Sequence, residues 1–117
     1  MKPRAVLDAN TLIAGLPATS GTLAKLIDHW RRGAFQVVTS QHIMEEVRRG
    51  WAKPYWRRRI SSAQVDRGLR LIAHWAEVTP ITVRVDGVAK HSEDDLVIAT
   101  ALSGRADFLV TSDIPFR

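Results

Sequence analysis

Arg4-Ala5-Val6-Leu7-Asp8 is a short apolar run that ends on a carboxylate. It reads as a buried strand, with the acid marking where the chain leaves the core. Working outward, Gly15 to Gly21 is rich in Gly, Pro and Ser and reads as a loop. Leu23, Leu26, Ile27 and Trp30 then recur at helical spacing, an amphipathic helix closed by Gly33. Phe35 to Val38 is a second strand, and Ser40 caps a short helix through Arg49. Pro54 breaks any continuous helix in the basic, aromatic stretch from Gly50 to Ile60. Ser61 and Gln64 form a capping-box pattern, and Val65, Leu69, Ile72 and Ala76 trace the buried stripe behind it. Ile81 to Val85 reads as a third strand, Ser92 opens a helix through Ser103, and Phe108 to Val110 is a fourth strand. Strands alternating with helices predict an α/β fold whose parallel sheet is covered on both faces. In such folds the chemistry lies outside the carboxyl ends of the strands.

Composition narrows the function classes. The chain of 117 residues has no cysteine, which excludes disulfide scaffolds, thiol nucleophiles and Cys-based zinc sites. The longest uncharged stretch, Ala9 to Ala24, is interrupted by Gly15, Pro17 and Gly21, and only three apolar residues follow the basic start. Neither a spanning helix nor a signal segment is expected, so the expectation is a cytoplasmic protein without a membrane partner. There is no G-x-G-x-x-G, no P-loop, no G-x-S-x-G, and no two histidines three to five residues apart. One domain is all that this length supports.

The acids select a chemistry. Asp8 follows strand one, Asp113 follows strand four, and Asp94 and Asp95 sit in the first turn of the last helix. Topology brings all three segments to one rim. Like charges so placed repel unless a cation holds them, and carboxylates with water suit Mg²⁺ or Mn²⁺. Such ions support phosphodiester hydrolysis. Taken singly, Asp94 and Asp95 also suit a helix cap, and Asp113 a turn before Pro115. A helical wheel through Ile43, Met44 and Val47 turns Glu45 to solvent and leaves Glu46 at the border of the buried face. The same wheel sets Asp94 over Val97, Ile98, Ala101 and Leu102, and turns Asp95 sideways.

The second constellation is basic. Arg48, Arg49, Lys53, Arg57, Arg58, Arg59, Arg67 and Arg70 stand against Asp66 alone, a local balance of +7, with Trp51, Tyr55 and Trp56 interleaved. Arginine pairs with phosphates bidentately and aromatic faces stack on unpaired bases, so the segment suits a nucleic-acid path. The competing reading is a solvated helical face with tryptophans packed inward and arginines paired to Asp66, Glu77 or Asp86.

Four blocks, Val6–Ile13, Ser40–Val47, Asp94–Ala101 and Leu109–Asp113, together resemble the signature blocks of PIN-domain proteins. The resemblance is closest to the branch of toxin components of toxin–antitoxin pairs, related to VapC toxins, and covers nearly the whole chain in order. It implies a PIN-like three-layer α/β/α sandwich and a Mg²⁺- or Mn²⁺-dependent endoribonuclease acting on single-stranded RNA. It implies a cognate antitoxin protein and a homodimer as well. Position by position, Asp8, Glu46, Asp94 and Asp113 match the acidic quartet, with Asp8, Asp94 and Asp113 as metal ligands. Asn10 and Thr111 match supporting positions, and Asp95 takes over if the helix register slips by one. Arg48, Arg49, Lys53, Arg57, Arg58 and Arg59 are the expected RNA contacts. Ala9 stands where the family usually has Thr, and His91 where this branch often has another Asp. The expected domain is single, residues 1–117, with its C-terminal edge cut short, since relatives continue beyond the four residues that follow Asp113.

Two rivals use the same residues differently. One is a non-catalytic RNA-binding module of PIN-like fold. The other is a phosphoryl-transfer enzyme with Asp8 as nucleophile, which wants an acid where Asn10 stands.

Overall fold

The computed structural model describes residues 2–83, 85 and 92–111, with residues 92–94 described in backbone only. Strand β1 (Arg4–Leu7) carries Ala5, Val6 and Leu7 into the core, and Val6 and Leu7 are fully buried. Helix α1 (Ala9–Gly15) starts at once, because Asp8 caps it: Asp8 Oδ1 accepts the Thr11 N–H at 2.8 Å. Helix α2 (Thr22–Arg31) buries Ile27 and Trp30 and is followed by Gly33 at a φ of 83°, a left-handed exit that favours glycine. Strand β2 (Gln36–Thr39) leads through the cap Ser40 into α3 (Gln41–Trp51). Pro54 opens the short α4 (Pro54–Arg57), and the Ser61–Gln64 capping box opens α5 (Ser62–Trp75). Strand β3 (Glu77–Val78), helix α6 (Ser92–Ser103) and strand β4 (Phe108–Val110) complete the fold.

The sheet has the order β3-β2-β1-β4 and every pairing is parallel. Val6 lies opposite Val38 on one side and Leu109 on the other, so β1 and β2 are buried on both faces and read as unbroken apolar runs. The chain steps outward from β1 to β2 to β3, then returns past β1 to β4. Right-handed crossovers place α1–α5 on one face and α6 on the other. Packing agrees: α1 lies on α2 and α3, α3 on α4 and α5, and α6 against β1, β2 and β4. This is the expected α/β/α sandwich around a parallel sheet. The direction of winding reverses between β1 and β4, and the crevice at such a reversal is where ligands bind in open α/β sheets.

Three sequence expectations change. The third strand is Glu77–Val78, directly behind α5, and the described residues of Ile81–Val85 form no strand. The last ladder bond runs from the Thr79 N–H to the Thr39 carbonyl at 2.8 Å, and Pro80 follows on what is an edge strand. The Thr82 and Val83 amides go to Ser103 Oγ instead, at 2.9 and 3.1 Å. Helix α1 occupies a stretch that no periodicity marked, being only seven residues long. On α6, Asp95 is 6% exposed, and Val97, Ala99 and Thr100 are buried as well, whereas Leu102 is 55% exposed. That helix is apolar nearly all round, so its polar bonds, and not an apolar stripe, decide which side faces the sheet.

Candidate active site

The crevice between β1 and β4 is built from Asp8 upward. Leu7 lies opposite Val110, and the Asp8 N–H donates to the Val110 carbonyl at 3.1 Å, so Asp8 and Thr111 leave the sheet side by side. Thr111 Oγ1 donates to Asp8 Oδ2 in a short hydrogen bond. Asp8 is 4% exposed and its two oxygens are held by a backbone amide and a hydroxyl. Among the described residues no Lys or Arg pairs with it. A carboxylate has about four lone-pair positions, so both oxygens retain capacity for a cation.

A buried seam of hydroxyls adjoins this crevice. Thr100 Oγ1 lies 2.9 Å from Ser40 Oγ and 2.8 Å from the Leu96 carbonyl, tying the middle of α6 to the start of α3. Ser40 Oγ also accepts the Ile43 N–H at 3.4 Å. The hydroxyls of Thr11 and Thr39 are buried with no hydrogen-bond partner among the described residues. Glu46 sits on the second turn of α3, one-fifth exposed, with His42 Nε2 at 2.8 Å from its Oε1. Glu45 points to solvent and pairs with Arg48, which holds its carboxyl below the usual range, as the wheel predicted.

Of the expected acids, Asp8 and Glu46 are thus placed by their side chains, and Asp95 is buried on α6. Asp94 lies in the first turn of α6 and only its backbone is described. Asp113 and His91 lie outside the described residues. Asn10 is exposed in the first turn of α1, and Thr111 bonds Asp8 directly. Among the described residues no three of His, Asp and Glu gather closely enough to hold a metal ion. The donor set at the crevice nevertheless fits a hard divalent cation: carboxylate and hydroxyl oxygens, no thiolate, and a buried acid without a basic partner. Sequence reasoning missed the Ser40–Thr100 pair and His42. The only signal for the first was a hydroxyl inside an apolar helical run.

The basic segment divides in two. Trp51 is core: it is 2% exposed, its Nε1–H donates to the Ile13 carbonyl at 3.1 Å, and Gly68 packs against its ring. A Trp51 stacking role is therefore excluded. Arg48 is engaged by Glu45, while Arg49, Lys53, Arg57, Arg58 and Arg59 are exposed and form no ion pair among the described residues. Glu77, one of the acids considered as their partner, is taken by Arg4.

The chain matches the family model of the PIN domain over residues 4–115. No curated protein and no solved structure matches it. Among the described residues no helix is long and apolar enough to cross a membrane. Sequence blocks, sheet order and crevice agree with that match, and the chain belongs to the PIN-domain family, whose domains are nuclease-type and usually use divalent metals.

Proposed function

We propose that this domain, spanning 1–117, is a Mg²⁺- or Mn²⁺-dependent endoribonuclease of single-stranded RNA. The observation that carries the reading is Asp8: a buried carboxylate at the winding reversal, held by Thr111 and the Thr11 amide and unneutralised by any basic residue described. Asp8, Asp94 and Asp113 hold the metal, with Asp95 beside Asp94 on the same helix turn as an additional or replacement donor. When bound, the ion activates water and offsets charge at the phosphorus centre. The protein's own part is positional. Thr111 fixes the Asp8 rotamer, the Ser40–Thr100 contact docks α6 on the rim, and His42 orients Glu46, whose carboxylate accepts the proton of the attacking water. Arg49, Lys53, Arg57, Arg58 and Arg59 contact the RNA, with Arg48 at their border. The one-sided charge of this surface also suits an acidic antitoxin, and we place the protein as the cytoplasmic toxin of such a pair, acting as a homodimer.

Titration of Mg²⁺ or Mn²⁺ against a labelled single-stranded RNA tests the reading. Metal-dependent internal cleavage supports it. RNA bound without cleavage at any metal concentration assigns the chain to the non-catalytic binding module instead.

A further inference from the structure

The segment after α3 holds a second site. Trp51 turns inward, but Tyr55 is 56% exposed. The Arg59 guanidinium lies over the Tyr55 ring, its carbon 3.6 Å from the ring centroid, and Arg59 Nη1 donates to the Tyr55 carbonyl at 2.7 Å. Trp56 meets the same ring edge-on, with centroids 5.1 Å apart. The cation is therefore held over the ring and anchored on a backbone carbonyl, not on a carboxylate. Arg59 forms no ion pair among the described residues. Lys53, Arg57 and Arg58 flank it, again with no acid paired to them among the described residues. A groove of about 440 Å³, lined in part by Arg48, Arg57, Ser61 and Asp66, runs alongside between α4 and α5.

A surface that served only as a solvated helical face would neutralise these charges locally or leave them mobile. Here one guanidinium lies over an aromatic ring, is hydrogen-bonded to that residue's carbonyl, and has unpaired cations on its flanks. That combination matches a nucleotide: a π-face to stack and a phosphate on each side. We propose that Tyr55 and Arg59 form a stacking platform for one unpaired nucleobase of single-stranded RNA, with Lys53, Arg57 and Arg58 holding the neighbouring phosphates. The proposal rests on the ribonuclease reading for the class of ligand. Every base has a π-face, so the platform binds without strong sequence preference. The eleven residues of α3 separate it from the Ser40 end by about 16 Å, so it serves binding and not bond cleavage.

The test is fluorescence anisotropy with labelled oligo(U) and oligo(A) in EDTA, which keeps binding apart from cleavage. Tyr55→Leu and Arg59→Lys both preserve net charge. Each is expected to weaken binding about five- to 150-fold with an unchanged salt slope. Tyr55→Phe should restore affinity to within about twofold of wild type, which separates stacking from loss of fold. Wild-type affinity in Tyr55→Leu overturns the proposal, whatever the RNA cleavage assay reports. So does an equal loss of affinity for an oligo-glutamate peptide, which would make the surface a dock for an acidic protein. Wild-type protein that binds RNA through Tyr55 but never cleaves it overturns the nuclease reading and leaves the platform standing.

Discussion

The two ends of the sheet treat their acids in opposite ways. Toward the amino-terminal end, Glu77 takes two hydrogen bonds from Arg4, at 2.6 and 3.1 Å, and Asp107 Oδ2 accepts the Arg4 N–H at 2.8 Å. The same guanidinium donates to the Gly104 carbonyl at 3.1 and 2.7 Å. At the carboxyl end Asp8 is more deeply buried, yet only neutral donors hold it. An acid closed by arginine is complete within the protein. One held by an amide and a hydroxyl keeps its charge for a cation from outside. Burial separates the ends as well: Glu77 and Asp107 are exposed, and Asp8 is buried without a basic partner among the described residues.

The largest expected effect breaks or upholds that contrast at Asp8. Asp8→Asn should lower RNA cleavage by about 10²–10³-fold, the usual cost of removing one electrostatic contact from a catalytic centre. Thermal stability without metal should not fall, because Asn caps a helix as well as Asp does. Wild-type turnover in this variant would end the catalytic reading of the crevice. Next in size is metal linkage: Mn²⁺ at one hundred times its dissociation constant should stabilise the wild type by about 2.7 kcal/mol in a thermal melt. The same addition should leave Asp8→Asn unmoved, and an equal shift in both proteins would place the ion elsewhere.

The opposite end should give smaller and purely structural effects. Arg4→Ala removes partly exposed hydrogen bonds to Glu77 and Gly104 and should cost about 1–2 kcal/mol in urea unfolding, with cleavage per folded molecule unchanged. The smallest effect is on pH dependence. The Arg4 hydrogen bond holds the Glu77 carboxyl below its usual range. A depressed folded-state pKa stabilises fully above the unfolded value of about 4.3 and loses that stabilisation as pH falls through the folded value. Because the pair is partly exposed, the difference between wild type and Glu77→Gln should be under about 1 kcal/mol at pH 6 and vanish near pH 2. A difference that grows on acidification would break the assignment.

Much of the fold was legible because its strongest signals are local. Ser40, the Ser61–Gln64 box and the Leu23–Trp30 periodicity mark α3, α5 and α2 within a turn or two. The run ending on Asp8 announced the central strand and the buried carboxylate at its end. What escaped depends on distance. A two-residue strand such as β3 has no pattern of its own and exists because β2 offers Val38 and Thr39 as partners. The burial of Asp95 follows from how α6 docks on the sheet and α3, a choice that its apolar run of Val97, Ile98, Ala99 and Ala101 does not encode. At Trp51 and Tyr55 the same spacing gave one core residue and one surface residue. Ile13 and Gly68 decide between them, and neither is near in sequence.

The strand order also sets a timetable. Among the described elements β1 comes first, yet its second neighbour, β4, lies about a hundred residues later, and the Arg4–Asp107 and Asp8–Thr111 bonds each close a separation of 103 residues. Closing so long a loop comes late in folding, since its entropy must be met before the contact forms. A chain still emerging from the ribosome holds Asp8 without Thr111, and so without its finished crevice. The crevice is therefore complete only once β4 has paired with β1.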